Sequence, residues 1–456
     1  MESVKETALQ KPQQPNTALY RTIWRWHFYA GIIFAPFLFI LAVTGAIYLF
    51  KPQIEVVLYQ DYYEVTPQGE KMSASQQIEE VRKLYPDAAM TVYRPGESAN
   101  RSSEVGIVNN DESLTIFINP YTGESLGELN SEDRIMDKIE EFHGELMAGT
   151  LGDRIVELAA CWAVVLIVTG LYLWFPKNRP GMGGVLFPRL KKGKKTFRRD
   201  LHAVPAFWVT AGMLFLIMTG LPWSGFWGTN FQSMATNTGE GYPPSVWVGS
   251  GPQSTIQTKD IADVPWSAEN LDVPVSDLQG FIPLSIDDVV SAAEREGVHP
   301  SYSIYIPQDK SGVYTISAFP PKAQDEITMH IDQYTGAVLT DYRYDNYGWI
   351  GKMVAWGITL HTGTQFGLIN QLISLCICLG IILVAVSGYY LWIKRKPKKE
   401  MGAPKQAGFK NTKGFFLLLI AMGFLFPLVG LTIIAVLMFD LILIRRTPAL
   451  KRFLNA

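Results

Sequence analysis

Four histidines stand at repeated positions in the chain, and their imidazoles are the side chains best suited to ligand chemistry. The sequence has 456 residues and six His. Two spacings recur between a His and a following Thr-Gly or Ser-Gly pair: 17 residues for His27/Thr44-Gly45 and His202/Thr219-Gly220, and 26 residues for His143/Thr169-Gly170 and His361/Ser387-Gly388. A neutral imidazole can bind a transition metal or a haem iron. The repeated spacing indicates that these four His belong to one structural plan.

Apolar segments long enough to cross a bilayer lie beside each of these His. Hydrophobic residues make up 48% of the chain, and charged residues make up 18%. A bilayer core of about 30 Å requires about 20 apolar residues in a helix. The predicted spans are 24–50, 155–175, 203–227 and 368–393, with a further apolar segment at 414–444. We therefore predict an α-helical polytopic membrane protein with the lipid bilayer as its surroundings.

Basic residues indicate which ends of the spans face the cytoplasm. The loop 176–202 has nine Lys or Arg and no acidic residue before Asp200, and the loop 394–413 is also basic. Because basic loops stay in the cytoplasm, both loops and the N-terminus are predicted to be cytoplasmic. The predicted cytoplasmic parts are 1–23, 176–202, 394–413 and 445–456, and the predicted extracytoplasmic parts are 51–154 and 228–367. Basic clusters in these places, with a net charge of -2, do not indicate nucleic-acid binding.

The segment 414–444 has two interpretations. It is basic at both ends, so a single span would place the last basic cluster outside, against the usual distribution of charge. Pro427 and Gly430 near its middle favour a hairpin that returns to the cytoplasm. About 30 residues are few for two complete spans, so a single span remains the alternative.

The two extracytoplasmic regions share one plan of secondary structure. Residues 73–85 and 286–295 have the periodicity of amphipathic helices. Alternating segments typical of strands follow, at 104–109 and 114–119 in the first region and at 302–306, 313–318 and 327–331 in the second. The sequence INPYTGESL at 118–126 has a counterpart, IDQYTGAVL, at 331–339. We predict two small α+β domains within a tandem, parallel repeat of span, domain and span.

Topology assigns a depth to each of the four His. His27 and His202 begin their spans at the cytoplasmic face, whereas His143 and His361 precede their spans at the outer face. A parallel repeat brings equivalent positions together, so we predict one site from His27 with His202 and another from His143 with His361. Six-coordinate haem b requires two imidazoles on opposite sides of the ring, small residues beside its faces and apolar walls. The sequence therefore predicts two haem b groups, with iron bound by these four His.

A transition-metal site is the alternative for the same residues. Two His at each face, without Cys or carboxylate at close spacing, are few ligands for Zn, Cu or Fe. His299 and His330 fall outside the repeated pattern, and His330 lies in a predicted strand, where we interpret it as structural. Five basic residues could bind the propionates of the haems, or could simply be cations at the membrane interface. They are Arg25, Arg198 and Arg199 at the inner face and Arg154 or Lys352 at the outer face.

Several segments of the chain resemble a known family. INPYTG and IDQYTG resemble PepSY domains. The segments FHGELMAGTLG…VTGLYLW and LHTGTQFG…VSGYYLW resemble the PepSY-associated transmembrane helix family, which includes iron-regulated bacterial inner-membrane proteins and ferrisiderophore reductases. The resemblance covers about residues 20–395. It implies a multi-pass protein of the bacterial cytoplasmic membrane with two PepSY-like extracytoplasmic domains and two haems at the predicted sites.

The resemblance also implies an activity, namely reduction of a ferric siderophore or another ferric chelate. Because the chain has no flavodoxin or flavin reductase domain, a separate cytoplasmic or quinol donor must supply the electrons. No glycine motif for dinucleotides, P-loop or HExxH occurs in the sequence, so NAD, ATP and zinc-peptidase chemistry have no support. Two other functions remain open: a metal permease component or PepSY-type regulator without haem, and a cytochrome b-like quinol oxidoreductase. The sequence identifies no residue that contacts the substrate.

Overall fold

The computed structural model describes residues 17–130, 133–175, 182–240, 253–276, 282–404 and 413–455. Parts of the predicted cytoplasmic segments therefore lie outside the described residues, namely 1–16, 176–181 with Lys177 and Arg179, and 405–412. The chain divides into two compact units. The first, called the helical unit, comprises Met1–Ile40, Leu158–Leu214 and Gly380–Ala456. The second, called the sheet unit, comprises Leu41–Glu157 and Phe215–Leu379.

Helices dominate both units. Over the described ranges, the helices are α1 (Thr17–Tyr48), α2 (Lys51–Leu58), α3 (Gln60–Tyr63), α4 (Ala74–Leu84), α5 (Ile135–Glu145), α6 (Gly149–Trp174), α7 (Lys194–Gly220), α8 (Trp227–Asn237), α9 (Ile286–Arg295), α10 (Trp349–His361), α11 (Leu368–Arg395), α12 (Lys413–Leu425), α13 (Pro427–Phe439) and α14 (Pro448–Phe453). Sequence analysis did not predict α5 and α10, the short helices that carry His143 and His361.

Within the described part of the chain, five helices are long and apolar enough to cross a membrane: Ala18–Tyr48, Gly149–Trp174, Lys194–Trp223, Leu368–Arg395 and Pro427–Ile444. The chain is a multi-pass membrane protein. Several helices begin before the predicted apolar segments, because backbone hydrogen bonds continue the helix into polar residues. The third span, for example, was predicted from residue 203, whereas α7 begins at Lys194.

The described strands of the two predicted α+β domains form one continuous sheet. The strands are β1 (Ala89–Arg94), β2 (Ser103–Asn109), β3 (Glu112–Ile118), β4 (Ser125–Asn130), β7 (Tyr302–Tyr305), β8 (Val313–Ala318), β9 (Ile327–Asp332) and β10 (Val338–Arg343), with β5 (Gln253–Gln257) and β6 (Asp272–Pro274) forming a separate pair. The order is β10-β9-β8-β7-β1-β2-β3-β4. The two predicted α+β domains therefore contribute the two halves of one sheet.

The joint between the halves is the antiparallel pair of β1 and β7, with Val92 opposite Tyr305 and Tyr93 opposite Ile304. Both strands would otherwise be open edges, and an open edge readily pairs with another strand. Local sequence gives no sign of this pairing, because the two strands are about 200 residues apart.

One face of the sheet packs on α4 and α9. Both helices begin with the same device, a Ser whose hydroxyl accepts a hydrogen bond from the backbone N–H three residues on: Ser73 in α4 and Ser285 in α9. Such capping boxes satisfy N–H groups that have no partner within the helix. Apolar residues of the two helices and both half-sheets form one hydrophobic core, including Val81, Val289 and Ile304.

The C-terminal apolar segment consists of two helices separated at Phe426. Pro427 begins α13, because its ring cannot continue the preceding helix. An ideal Cβ on Gly423 would lie 2.9 Å from the Cα atom of Gly430, whereas residues seven apart in a straight helix are separated by about 10 Å. The chain therefore reverses sharply here, and α12 and α13 form a helical hairpin.

Candidate functional site

His143 and His361 lie together in the sheet unit. His143 stands near the end of α5, and His361 is the last residue of α10. Their ring centres are 6.4 Å apart, and the ring planes make an angle of 75°. This is the pair of His that sequence analysis assigned to the outer site.

Each of these imidazoles rests on a Thr-Gly pair of another helix. The Nδ1 atom of His143 is 2.9 Å from the hydroxyl of Thr44 on α1. The Nδ1 atom of His361 is 2.9 Å from the hydroxyl of Thr219 on α7. The glycine that follows each Thr lies under the ring, because an ideal Cβ on Gly45 would be 3.2 Å from Cε1 of His143, and one on Gly220 would be 3.3 Å from Cε1 of His361.

The helical unit repeats this arrangement with the other two His. The Nδ1 atom of His27 on α1 is 2.9 Å from the hydroxyl of Thr169 on α6. An ideal Cβ on Gly170 would be 3.2 Å from Cε1 of His27. We call a hydroxyl residue and the following glycine that hold an imidazole in this way an imidazole seat.

His202 on α7 occupies the fourth seat in the described residues. Its Nδ1 atom is 3.0 Å from the carbonyl oxygen of Val384 and 3.3 Å from the hydroxyl of Ser387, both on α11. An ideal Cβ on Gly388 would lie 3.2 Å from Cε1 of His202. A Cβ at the glycine of a seat would crowd the ring, which would have to move by a few tenths of an ångström.

Hydrogen bonding in the seats determines the tautomer of the imidazoles. The hydroxyl of Thr169 donates to the carbonyl of Val165 over 2.7 Å, and that of Thr219 donates to the carbonyl of Phe215 over 2.8 Å. A hydroxyl whose proton is used in this way accepts the Nδ1–H of the His. The carbonyl of Val384 can only accept, so Nδ1 of His202 also carries a proton. Each Nε2 then has a free lone pair, and none has a hydrogen-bond partner among the described residues.

The hydrogen-bond partners of the His are not the Thr that the sequence spacing links to them. The spacing of 17 residues links His27 to Thr44 along α1, yet His27 rests on Thr169 and Thr44 holds His143. His27 and Thr169 are 142 residues apart, as are Thr219 and His361. Sequence analysis treated the Thr-Gly and Ser-Gly pairs as small residues only and missed their role as seats. The only signal in the sequence was that every pair combines a hydroxyl residue with glycine.

His143 and His361 could together hold one iron. Their ring centres, 6.4 Å apart, are close enough for both imidazoles to bind a single metal ion. Burial lowers the pKa of His143 and of His361 to about 4, and the charge of His143 also acts to lower the pKa of His361. Both rings are neutral at pH 7, as a ligand must be.

The inner pair is defined by its seats. His27 and His202 both lie in the helical unit. Both are half-buried, and each directs Nδ1 to its seat. The residues of both pairs fit the ligation of haem b, since they provide imidazoles with free Nε2 atoms and glycine beside each ring.

The other His have structural environments. His330 in β9 is completely buried, and its Nδ1 atom is 2.9 Å from the hydroxyl of Thr315 in β8. His299 bonds the hydroxyl of Ser301 two residues on. Among the described residues, no group of three or more His, Cys, Asp or Glu side chains could hold a metal ion.

The candidate propionate partners are engaged in other contacts. Arg154 pairs with Asp153, Arg199 pairs with Asp200, and the Lys352 ammonium donates to the carbonyl of Asp345. Arg198 lies over the ring of Tyr390. Arg25 donates to two backbone carbonyls in the C-terminal part of the chain.

The model of a family described as the PepSY-associated TM region matches residues 24–395, a range that includes all four seated His. No curated protein matches the chain.

We expect the seat glycines to tolerate no side chain. Ala is ordinarily about 0.5–1 kcal/mol better than Gly inside a helix, but a Cβ at Gly45 meets the ring of His143 at 3.2 Å. Gly45→Ala should therefore lower the midpoint of thermal unfolding of the detergent-solubilised protein. The matched control is Gly144→Ala, because Gly144 is also helical, adjoins His143 and has open space where its Cβ would be. Equal or higher stability of Gly45→Ala relative to this control would contradict the seat.

Proposed function

The chain belongs to the family of PepSY-associated TM regions, and we propose that it is a di-haem b membrane reductase. In this proposal electrons pass from the cytoplasmic side of the bacterial inner membrane, where the N-terminus lies, to the extracytoplasmic side. One haem is bound by His27 and His202 and the other by His143 and His361. The acceptor is Fe(III) in a siderophore or another ferric chelate, and the donor is a separate cytoplasmic protein or a quinol.

The observation that carries the proposal is the fourfold imidazole seat. A hydroxyl or carbonyl acceptor at Nδ1 orients a ligating imidazole and makes Nε2 more basic, as second-shell partners of metal ligands do. A His that served only as a polar anchor at the membrane surface would not need the same acceptor and the same glycine on a second helix four times. The ring-centre distance of 6.4 Å between His143 and His361 supports the binding of one iron by both imidazoles.

The chain's own residues then have defined tasks. A haem held by His27 and His202 or by His143 and His361 would supply single-electron chemistry, and two protein ligands on its iron would suit electron transfer rather than binding of a substrate there. The four seats hold the rings in one orientation, so little reorganisation accompanies a change of charge. The apolar faces of α1, α6, α7 and α11 exclude water from the sites, and the burial of His143 and His361 keeps both rings neutral.

Reduction of a ferric chelate has a simple balance. One electron from the donor converts Fe(III) to Fe(II), and the chelator leaves unchanged. Oxygen-rich chelators built for the harder Fe(III) ion hold Fe(II) weakly, so iron is released. The proposal therefore assigns the protein a role in iron uptake.

Haem content is the first test. Purified protein should contain two haem b per chain, with a Soret band and an α band after reduction by dithionite. His143→Ala and His361→Ala should each remove one of the two haems, because a ring that loses one axial imidazole is held by a single ligand. His299→Ala is the control and should retain both. Wild-type protein without a Soret band would contradict the proposal and favour a permease component or a regulator without haem.

The acceptor is tested separately. Protein reduced by dithionite, with excess reductant removed, should be reoxidised by ferric siderophores, with Fe(II) trapped by a ferrous-specific chelator. Quinone analogues are the comparison, measured at the same concentrations. Reoxidation by quinones alone would identify a quinol oxidoreductase instead.

The hydroxyl of Thr219 should affect the midpoint potential of the haem bound by His143 and His361. Thr219→Val removes the acceptor of the His361 Nδ1–H with little change in volume, and Thr219→Ser keeps it. Loss of such a partner typically weakens metal binding about 10–100-fold. It also makes the imidazole less basic, so Thr219→Val should raise the midpoint potential of one haem, measured by redox titration. Identical potentials in the Val and Ser variants would show that the hydroxyl is not a positioning group.

A further inference from the structure

Part of the C-terminal segment, which lies outside the matched range of 24–395, binds the turn of α1 that carries His27. The guanidinium of Arg25 donates from Nη1 to the carbonyl of Pro404 and to that of Asn455, each over 2.8 Å. The hydroxyl of Tyr29 donates to the carbonyl of Leu454 over 2.5 Å. Arg25 lies two residues before His27 and Tyr29 lies two residues after it. Both side chains thus donate to backbone carbonyls of the C-terminal segment.

The two segments that receive these bonds also bind each other. The backbone N–H of Met401 donates to the carbonyl of Phe453 over 3.0 Å, and the side-chain amide of Asn455 donates to the carbonyl of Ala403 over 2.8 Å. The indole of Trp392, near the end of α11, donates to the carbonyl of Met401 over 2.9 Å. We call Met401–Pro404 and Phe453–Asn455 together the C-terminal clasp.

The hairpin of α12 and α13 adds an apolar contact beside the clasp. The ring of Trp26, the neighbour of His27, lies between Phe415 of α12 at 5.8 Å and Trp162 of α6 at 6.3 Å. The indole of Trp162 donates to the hydroxyl of Thr432 on α13 over 3.0 Å. Trp162 and Phe415 are only 3% and 2% exposed, so this contact excludes water.

These contacts reach both helices of the inner seat. Trp162 stands seven residues before Thr169, which holds His27, and residues seven apart lie on the same face of a helix. The C-terminal segment therefore contacts α1 on both sides of His27 and α6 two turns from the seat. The turn of α7 around His202 is held by other contacts, since the guanidinium of Arg189 donates to the carboxylate of Asp200, two residues before His202.

We propose that the C-terminal segment is a positioning element for His27, which holds α1 against α6 and keeps water from the inner site. The inference rests on the proposed function for its redox consequence. Exposure to water stabilises the more highly charged, oxidised form of a haem and lowers its potential. Loosening the clasp should therefore lower the potential of the inner haem and leave that of the outer haem unchanged.

The test is a double variant, Tyr29→Phe with Thr432→Val, which removes one bond to the clasp and one to the hairpin without changing charge. Its matched control is Tyr390→Phe with Thr210→Val. The Tyr390 ring makes cation contacts that Phe retains, and the Thr210 hydroxyl bonds the carbonyl of Ala206 in its own helix. Each full-length protein is studied by redox titration and by hydrogen–deuterium exchange of peptides from the start of α1 and the start of α7.

The expected result has two parts. Exchange near the start of α1 increases in the double variant but not in the control, while exchange at the start of α7 is the same in both. One of the two haem potentials shifts downward, and the other does not move. The shifted haem is identified as the inner one because it is the haem that persists in His361→Ala.

Other outcomes overturn the inference. Increased exchange at α1 with unchanged potentials would make the clasp a part of the fold with no effect on the inner site. Unchanged exchange would show that these contacts do not hold α1. A downward shift in both haems, or in the control, would indicate a general loss of structure. Failure of the proposed function is distinct, because it would appear as wild-type protein without haem, and the exchange measurement would still report on the clasp.

Discussion

The hydrogen bond from an imidazole Nδ1–H to an acceptor on a second helix is the interaction on which the arrangement of the sites depends. In apolar surroundings an unpaired polar group costs several kcal/mol, about 2–7 by transfer measurements. The seat satisfies the imidazole, and its hydroxyl in turn donates to a carbonyl of its own helix, as Thr169 does to Val165. Glycine beside the hydroxyl lets the ring approach the backbone. The same group of atoms therefore joins two helices and leaves Nε2 as the one ring nitrogen available to a ligand.

The continuous sheet explains how the outer pair of His is brought together. β4 and β10 are the two edges of the sheet, seven strand steps apart, or about 34 Å at about 4.8 Å per step. The chain continues from these edges into α5 and α10, which are 11 and 13 residues long. The ends of these helices nevertheless meet, with His143 and His361 at a ring-centre distance of 6.4 Å. Pairing of β1 with β7 thus makes the two halves one platform and sets the relation between the two helices.

In the helical unit, the C-terminal segment supplies hydrogen-bond acceptors and packing contacts around His27. Its backbone carbonyls accept from Arg25 and Tyr29, so the polar groups around His27 are satisfied by the chain itself. Phe415 of this segment packs on Trp26, and the hydroxyl of Thr432 accepts a hydrogen bond from the indole of Trp162. A segment outside the family match is in this way part of the environment of one of the four His.

Much of the architecture follows from the sequence alone. Apolar length determines the spans, because a bilayer core accepts only a helix with its backbone bonds satisfied. Periodicity predicted the two amphipathic helices closely, with 286–295 for α9, and the repeated spacings identified the four His. The strands β1 and β10 and the helices α5 and α10 were missed, because short elements carry little periodic signal and depend on their neighbours.

Tertiary structure alone decided how these parts combine. The union of the two α+β domains depends on strands with no local sign of each other, and the hairpin at Phe426 depends on the contact of Gly423 with Gly430. Which hydroxyl holds which imidazole could not be read from spacing along one helix, because a His at one end of a helix cannot reach a Thr 17 residues on, about 25 Å away. The sequence determined which residues recur, whereas packing between helices determined which of them meet.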